Sequence, residues 1–120
     1  MEIPDEITEQ FLKDHPEVVY VFSENAQRVG PIDVGNLTYH RQARGFITKR
    51  SMNDYFTPDN YIDTYLREIS HLRKFIKNSK SIFIIGLTAN KEFNKFGIYE
   101  AVIGPTIRAL LSDCSNVLFQ

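Results

Sequence analysis

The chain has 120 residues, 42% of them apolar and 24% charged, which is material for one packed domain without the bias that marks disorder. Lys and Arg number 14 against 15 Asp and Glu, a balance that argues against general nucleic-acid binding, where phosphate neutralisation draws on a clear basic excess. Cys114 is the only cysteine, so no intramolecular disulfide or thiolate metal cluster forms; no apolar run approaches the ~20 residues of a membrane span, and no basic-then-apolar leader opens the chain, so a reducing cytoplasm is the expected compartment.

In chain order, residues 4–14 predict a short amphipathic helix within an N-terminal extension of residues 1–16. Pro4 suits a first turn, acids crowd that end, and Ile7, Phe11 and Leu12 share a face. The run Val18 to Phe22 is continuously β-branched and aromatic, the pattern of a strand covered on both sides. It is expected to stop at the polar Ser23-Glu24-Asn25. Residues 30–44 show no clean period and read as a long loop, and Gly45 to Thr48 predicts a second short strand followed by a polar loop through Asp54. Thr57-Pro58-Asp59 is a strong helix start, and Ile62, Tyr65, Leu66, Ile69, Leu72 and Ile76 predict one buried stripe over a helix reaching about Lys77. Arg73 falls at the edge of that stripe, its charge reaching water.

Residues 81–87 predict the most deeply buried strand, and strand, long helix and buried strand together form a βαβ unit with the two strands parallel. After a polar loop, helical pattern returns from Tyr99 to Leu111, with Ile103, Ile107, Leu110 and Leu111 inward and Gly104-Pro105 either kinking one helix or starting another. Residues 117–119 predict an edge strand. The expected fold is therefore α/β: one compact domain over residues 1–120, with a mixed, mainly parallel sheet of four or five strands flanked by helices.

Polar residues at the ends of parallel strands are where such folds place ligands. Asn25 offers a donor and an acceptor suited to a ribose hydroxyl or a base edge, or caps the following turn. Arg28, Lys49 and Arg50 lie just beyond two strand ends and suit an anionic ligand, an acidic partner surface or plain solvent exposure. Thr48 offers a hydroxyl to a ligand or ends its strand locally. His15, His40 and His71 lack metal-ligand spacing. A hydrolytic set of Ser23, Asp33 and His40 has no local motif behind it, and Cys114 reads as a small buried filler. Tyr39, Tyr55, Phe56, Phe93, Phe96 and Tyr99 lie in polar stretches, where aromatic rings stack on a base, anchor an interface or roof the core.

Two segments carry a family resemblance: Phe22-Ser23-Glu24-Asn25-Ala26-Gln27-Arg28-Val29-Gly30, and Gly45-Phe46-Ile47-Thr48-Lys49-Arg50-Ser51-Met52 with Tyr55-Phe56-Thr57 after it. In order and spacing the chain resembles, over about residues 18–119, a group of small macro-domain-like proteins common in bacteriophages. Their first strand ends in Asp-Asn or Ser-Asn before an Arg-Val-Gly turn, and a later strand ends in Pro-Thr-Lys-Arg. The resemblance implies a macro-like fold and a ligand-binding set of Asn25, Arg28, Gly30, Thr48, Lys49, Arg50, Thr88 and Gly97. This chain departs from the pattern where the family is glycine-rich. Gly30 runs into Pro31-Ile32-Asp33, the late loop reads Leu87-Thr88-Ala89-Asn90-Lys91-Glu92-Phe93, and Ile47 stands where the family has proline. Side chains in those loops hinder the close backbone approach that cradles a phosphate.

The expected function is non-catalytic: a phage accessory or counter-defence protein that binds a nucleotide-derived ligand of ADP-ribose type in a degenerate cleft, with no cofactor and no membrane. The alternative is an inhibitor that binds a host bacterial protein through its basic or aromatic loops. A nucleotide-derivative hydrolase comes third, because no base or nucleophile stands out.

Overall fold

A computed structural model describes residues 1–27, 40–88 and 91–120, with only the main chain of Thr88. The elements follow as α1 (Glu9–Asp14), β1 (Val18–Asn25), β2 (Ala43–Ser51), β3 (Asp54–Tyr55), α2 (Pro58–Lys77), β4 (Ile82–Ile85), α3 (Gly104–Leu110) and β5 (Val117–Phe119). Among the described residues the strands form one five-stranded sheet in the order β3-β2-β1-β4-β5. β1 pairs in parallel with both β2 and β4, β4 pairs in parallel with β5, and only β3 runs antiparallel, against the end of β2. The sheet is thus mixed and mainly parallel, and the fold is α/β. Among the described residues no helix is long and apolar enough to cross a membrane.

The unbroken apolar runs of β1 and β4 make sense once both faces of the sheet are covered. Val18, Tyr20, Phe22 and Ile84 point to one face and pack against Ile7 and Leu12 of the N-terminal segment. Val21, Phe83, Ile85 and, from β2, Phe46 point to the other, under α2 and α3. Full burial of one such side chain contributes about 1.5–3 kcal/mol, so the two faces together, rather than strand propensity, fix the register.

Several elements differ from their sequence expectation for identifiable reasons. α1 starts at Glu9, because Thr8 is its N-cap and the Thr8 hydroxyl accepts the Phe11 amide at 3.0 Å. Pro4 and Asp5 stay outside the helix, their carbonyls held by the Gln120 amide at 3.1 and 3.0 Å. β1 does not stop at Phe22 but carries Ser23-Glu24-Asn25 within the ladder, and β2 is likewise longer than residues 45–48. β3 lies inside the stretch expected to be loop. β4 ends at Ile85, and Gly86–Thr88 form a 3-10 turn instead of continuing the strand.

α2 begins at the expected cap, with the Thr57 amide donating to Asn60 Oδ1 at 2.8 Å. Its buried stripe is Tyr61, Tyr65, Ile69, Leu72 and Ile76, while Ile62 and Leu66 are 48% and 51% exposed, contrary to expectation. The tyrosines win those places because their hydroxyls find partners inside: Tyr61 donates to the Ile47 carbonyl at 2.6 Å, and Tyr65 shares a hydrogen bond with Thr106 at 2.7 Å. Before α3 the chain makes a π-helical turn over Tyr99–Ile103, with the Gly104 amide reaching back five residues to the Tyr99 carbonyl. Pro105 has no amide to continue an α-helical ladder, and widening by one residue accommodates it. Gly104 fits because a Cβ there would crowd the Tyr99 carbonyl at 3.1 Å. Leu110, expected inward, is 38% exposed, whereas Ile103, Ile107 and Leu111 are buried.

Candidate functional site

The parallel strands β1, β2 and β4 open their carboxyl ends on one rim of the sheet. β1 sits between the other two, so the chain leaves it first to one side and later returns on the other. That reversal is the switch point at which open α/β sheets form a crevice.

The ladder between β1 and β2 is irregular at this rim. Glu24 pairs with Ile47, but Asn25 pairs with Lys49, so Thr48 is the extra residue of a bulge. Thr48 has no solvent exposure, and its hydroxyl is hydrogen-bonded to that of Ser23 on the neighbouring strand. Asn25 is 2% exposed, and its Oδ1 accepts the Gln27 amide at 3.0 Å, the geometry of a residue shaping its own turn. The Ala26 amide donates to the Lys49 carbonyl at 2.8 Å and carries the pairing one step past the strand end. Asn25 and Thr48 therefore build the rim from inside, as partners of the protein itself.

The charged groups stand further out. Lys49 Nζ donates to the Met52 carbonyl at 3.1 Å and to both oxygens of Glu92 at 3.3 and 3.2 Å, and it lies 5.0 Å from the centre of the Tyr55 ring. The Tyr55 hydroxyl donates to Glu92 Oε1 at 3.0 Å. Lys95 lies over Tyr55 and Phe96, whose rings meet edge to face at 6.5 Å. Arg50 extends past the rim to Asp54 at 3.8 Å, with both side chains more than half exposed.

The loop after β4 is fixed by its own side chains. Phe93 is buried in the core under α2, and Asn94 ties the loop to the next helical turn. Asn94 Oδ1 accepts the Tyr99 amide at 2.7 Å, and its Nδ2 donates to both Glu100 oxygens at 3.0 and 2.7 Å. That amide, with Lys91 adding attraction, holds the Glu100 carboxyl below the ordinary carboxylate range. Gly97 has φ of +78°, a left-handed conformation that side chains disfavour, which explains its glycine without any ligand.

Of the eight expected site residues, the structure brings Asn25, Thr48, Lys49 and Arg50 to the rim where β1 and β2 end. Gly97 terminates the loop whose Glu92 meets Lys49. Thr88 ends the 3-10 turn after β4, its side chain outside the described residues. Arg28 and Gly30 also lie outside the described residues, as do Asp33 and Tyr39. In the hydrolytic set, Ser23 bonds to Thr48 and His40 Nδ1 accepts the Gln42 amide at 3.1 Å. Among the described residues no group of three His, Cys, Asp or Glu side chains could hold a metal ion. Cys114 is buried, and burial, with Asp113 nearby, pushes its thiol pKa up, away from nucleophilic use.

Sequence reading missed Tyr55 and Glu92 as a pair closing on Lys49, and Glu24 and Glu68 beside β2. Glu24 is 6% exposed and lies against Gly45, where a Cβ would fall 1.8 Å from Glu24 Oε2, so this strand position admits only glycine as packed. Glu68 Oε1 accepts the Ile47 amide at 2.8 Å, capping an outward-facing group of β2. A polar pocket of about 320 Å³ opens there between Glu24, Arg44, Glu68 and His71. The sequence carried no direct signal for it, because Gly45 reads there as the first residue of a strand and lies inside β2 only in the structure.

Compared with protein-family models, with curated proteins and with solved structures, the chain matches none.

Proposed function

We propose that the protein is a non-catalytic binding module that holds a nucleotide-derived anionic ligand, of ADP-ribose type, at the rim where β1, β2 and β4 end. One observation supports it above the others: the strand order reverses at β1, and the bulge at that point delivers Lys49 to the rim beside Tyr55. In this reading Lys49 and Arg50 supply charge for phosphate oxygens, Asn25 and Thr48 hold the strand ends in place, and the Tyr55 and Phe96 rings border the site. Gly30, Thr88 and the phage setting enter from the family resemblance alone, and Arg28 from its place in the sequence just beyond the first strand. In that setting the module would sequester a host defence signal without turning it over.

A thermal-shift and calorimetric screen against ADP-ribose, cyclic nucleotides and NAD derivatives tests the proposal. A ligand at 100 times its dissociation constant stabilises the fold by about 2.7 kcal/mol. A panel that leaves the melting temperature unmoved, together with a biologically silent Asn25→Ala variant, refutes it.

A second reading, an inhibitor docking on a host bacterial protein, draws on the pairing of Lys49 with Glu92 and Arg50 with Asp54 beside the exposed Met52 and Phe96. Such a surface is nearly neutral and partly apolar, as interface cores are. The Lys49→Glu, Arg50→Glu double variant should lose a specific partner in a pull-down from bacterial lysate; unchanged capture of that partner moves the interface to the aromatic loops or the acidic N-terminal helix, and capture of no specific partner by wild type removes this reading.

A further inference from the structure

We infer that Lys49 Nζ and the Tyr55 hydroxyl form an anion subsite which the protein's own Glu92 carboxylate occupies, so that a ligand phosphate enters by displacing Glu92. The inference rests on the binding function proposed above and adds to it a built-in competitor for the site.

Two kinds of immobility separate the donors from the occupant. The Lys49 side chain is 12% exposed, lies along the Tyr55 ring and keeps a bond to the Met52 carbonyl at 3.1 Å, so its ammonium stays in place whatever anion it meets. Tyr55 is paired with Lys49 in the ladder between β2 and β3. Both donors are therefore set by the hairpin before any ligand arrives. Glu92 is different. Its side chain is 48% exposed, while the main chain just after it is pinned by buried Phe93 and by Asn94. The carboxylate reaches solvent, whereas the chain that carries it is held by Phe93 and Asn94.

The chemistry of the exchange favours phosphate. Ammonium and phenol hydroxyl converge on Glu92 Oε1 at 3.3 and 3.0 Å, an arrangement of donors that serves any oxyanion. A diphosphate of ADP-ribose type brings two adjacent phosphoryl groups, each with one negative charge and two free oxygens, against the single charge of the carboxylate. It cannot share the position with a carboxylate, because like charges at such range repel. Lys95, over the rings of Tyr55 and Phe96 at 5.4 and 5.6 Å, adds positive potential on the outer side.

The test is calorimetric titration of wild type, Glu92→Gln and Glu92→Asp with ADP-ribose and with inorganic pyrophosphate, melting temperatures being recorded to confirm folding. Gln keeps the size and removes the charge. Asp keeps the charge and shortens the reach by one methylene. Loss of an exposed ion-pair competitor should tighten binding about two- to fivefold in both variants. Binding by Glu92→Gln where wild type shows none supports the inference more strongly still. Tightening in Glu92→Gln alone indicates general charge repulsion and overturns occupancy of the subsite. If wild type binds and neither variant tightens, the inference fails while the binding function stands. If neither wild type nor the variants bind either probe, the inference fails, and the binding function is decided by the wider panel and Asn25→Ala.

Discussion

Gln42 and Lys49 flank the same strand, one just before β2 and one near its end, and both are long polar side chains kept largely from water. Their partners differ in kind. Gln42 Nε2 spreads its hydrogens over the main-chain carbonyls of Leu12, His15 and Val18 at 2.8, 2.9 and 3.0 Å. It thereby welds the end of α1 to the start of β1. Lys49 faces mainly a side-chain carboxylate that reaches solvent. A main-chain partner cannot leave without unfolding something, whereas an exposed side-chain partner exchanges by rotating a few bonds. The same strand thus carries a structural clamp at its start and an exchangeable contact at its end. Burial alone would not have told them apart.

The contrast breaks first at Gln42. Gln42→Leu keeps the volume and deletes the clamp, and two amide hydrogens shared among three carbonyls, at about 1 kcal/mol per hydrogen bond, predict a loss of about 2 kcal/mol. Urea unfolding should show a lower midpoint with the slope unchanged, and rim binding should be unaffected in the molecules still folded. An unmoved midpoint would mean that the clamp is ornamental. Next comes the Ser23–Thr48 pair, which lies between the extremes: side chain to side chain, yet at a fully buried Thr48. Thr48→Val should cost about 1–2 kcal/mol by stranding the Ser23 hydroxyl, and Ser23→Ala with Thr48→Val should cost less than the sum of the single changes. Additive losses would show that the two hydroxyls act independently.

Much of the frame was readable from local pattern. The cap Thr57-Pro58-Asp59, the buried runs at β1 and β4 and the parallel pairing implied by strand, helix and strand all appear in the structure. What stayed hidden depends on residues distant in sequence. Tyr61 with Ile62, and Tyr65 with Leu66, are adjacent candidates for one stripe, and periodicity cannot choose between ridges one residue apart. The choice is made by the Ile47 carbonyl and by Thr106, distant acceptors for the tyrosine hydroxyls. At the rim, the partner of Thr48 is 25 residues away and the partner of Lys49 is 43 away. The sequence placed both near a strand end, and only the β1–β2 bulge decides that one turns inward while the other meets Glu92.

The smallest expected effect sharpens the comparison at its exposed limit. Asp113 receives Arg73 through Nη2 and Nε and also Lys77 at 2.6 Å, with all three side chains about 44% exposed, away from both the clamp and the rim. The Arg73 and Lys77 hydrogen bonds hold its carboxyl well below the ordinary carboxylate range. A pKa lower in the folded than in the unfolded chain means that the pairing stabilises fully above the unfolded value of about 4. The contribution is then lost progressively as pH falls through that value toward the folded one. Wild type should therefore lose melting temperature between pH 5 and pH 2 more steeply than Asp113→Asn, with the two curves parallel above about pH 5. Because the pair is solvated, raising the salt should shrink the difference. Equal slopes at low salt would show that even two cations on one carboxylate leave no trace at this exposure, and exchangeability at Lys49 would then be the rule for the surface rather than a property of the rim.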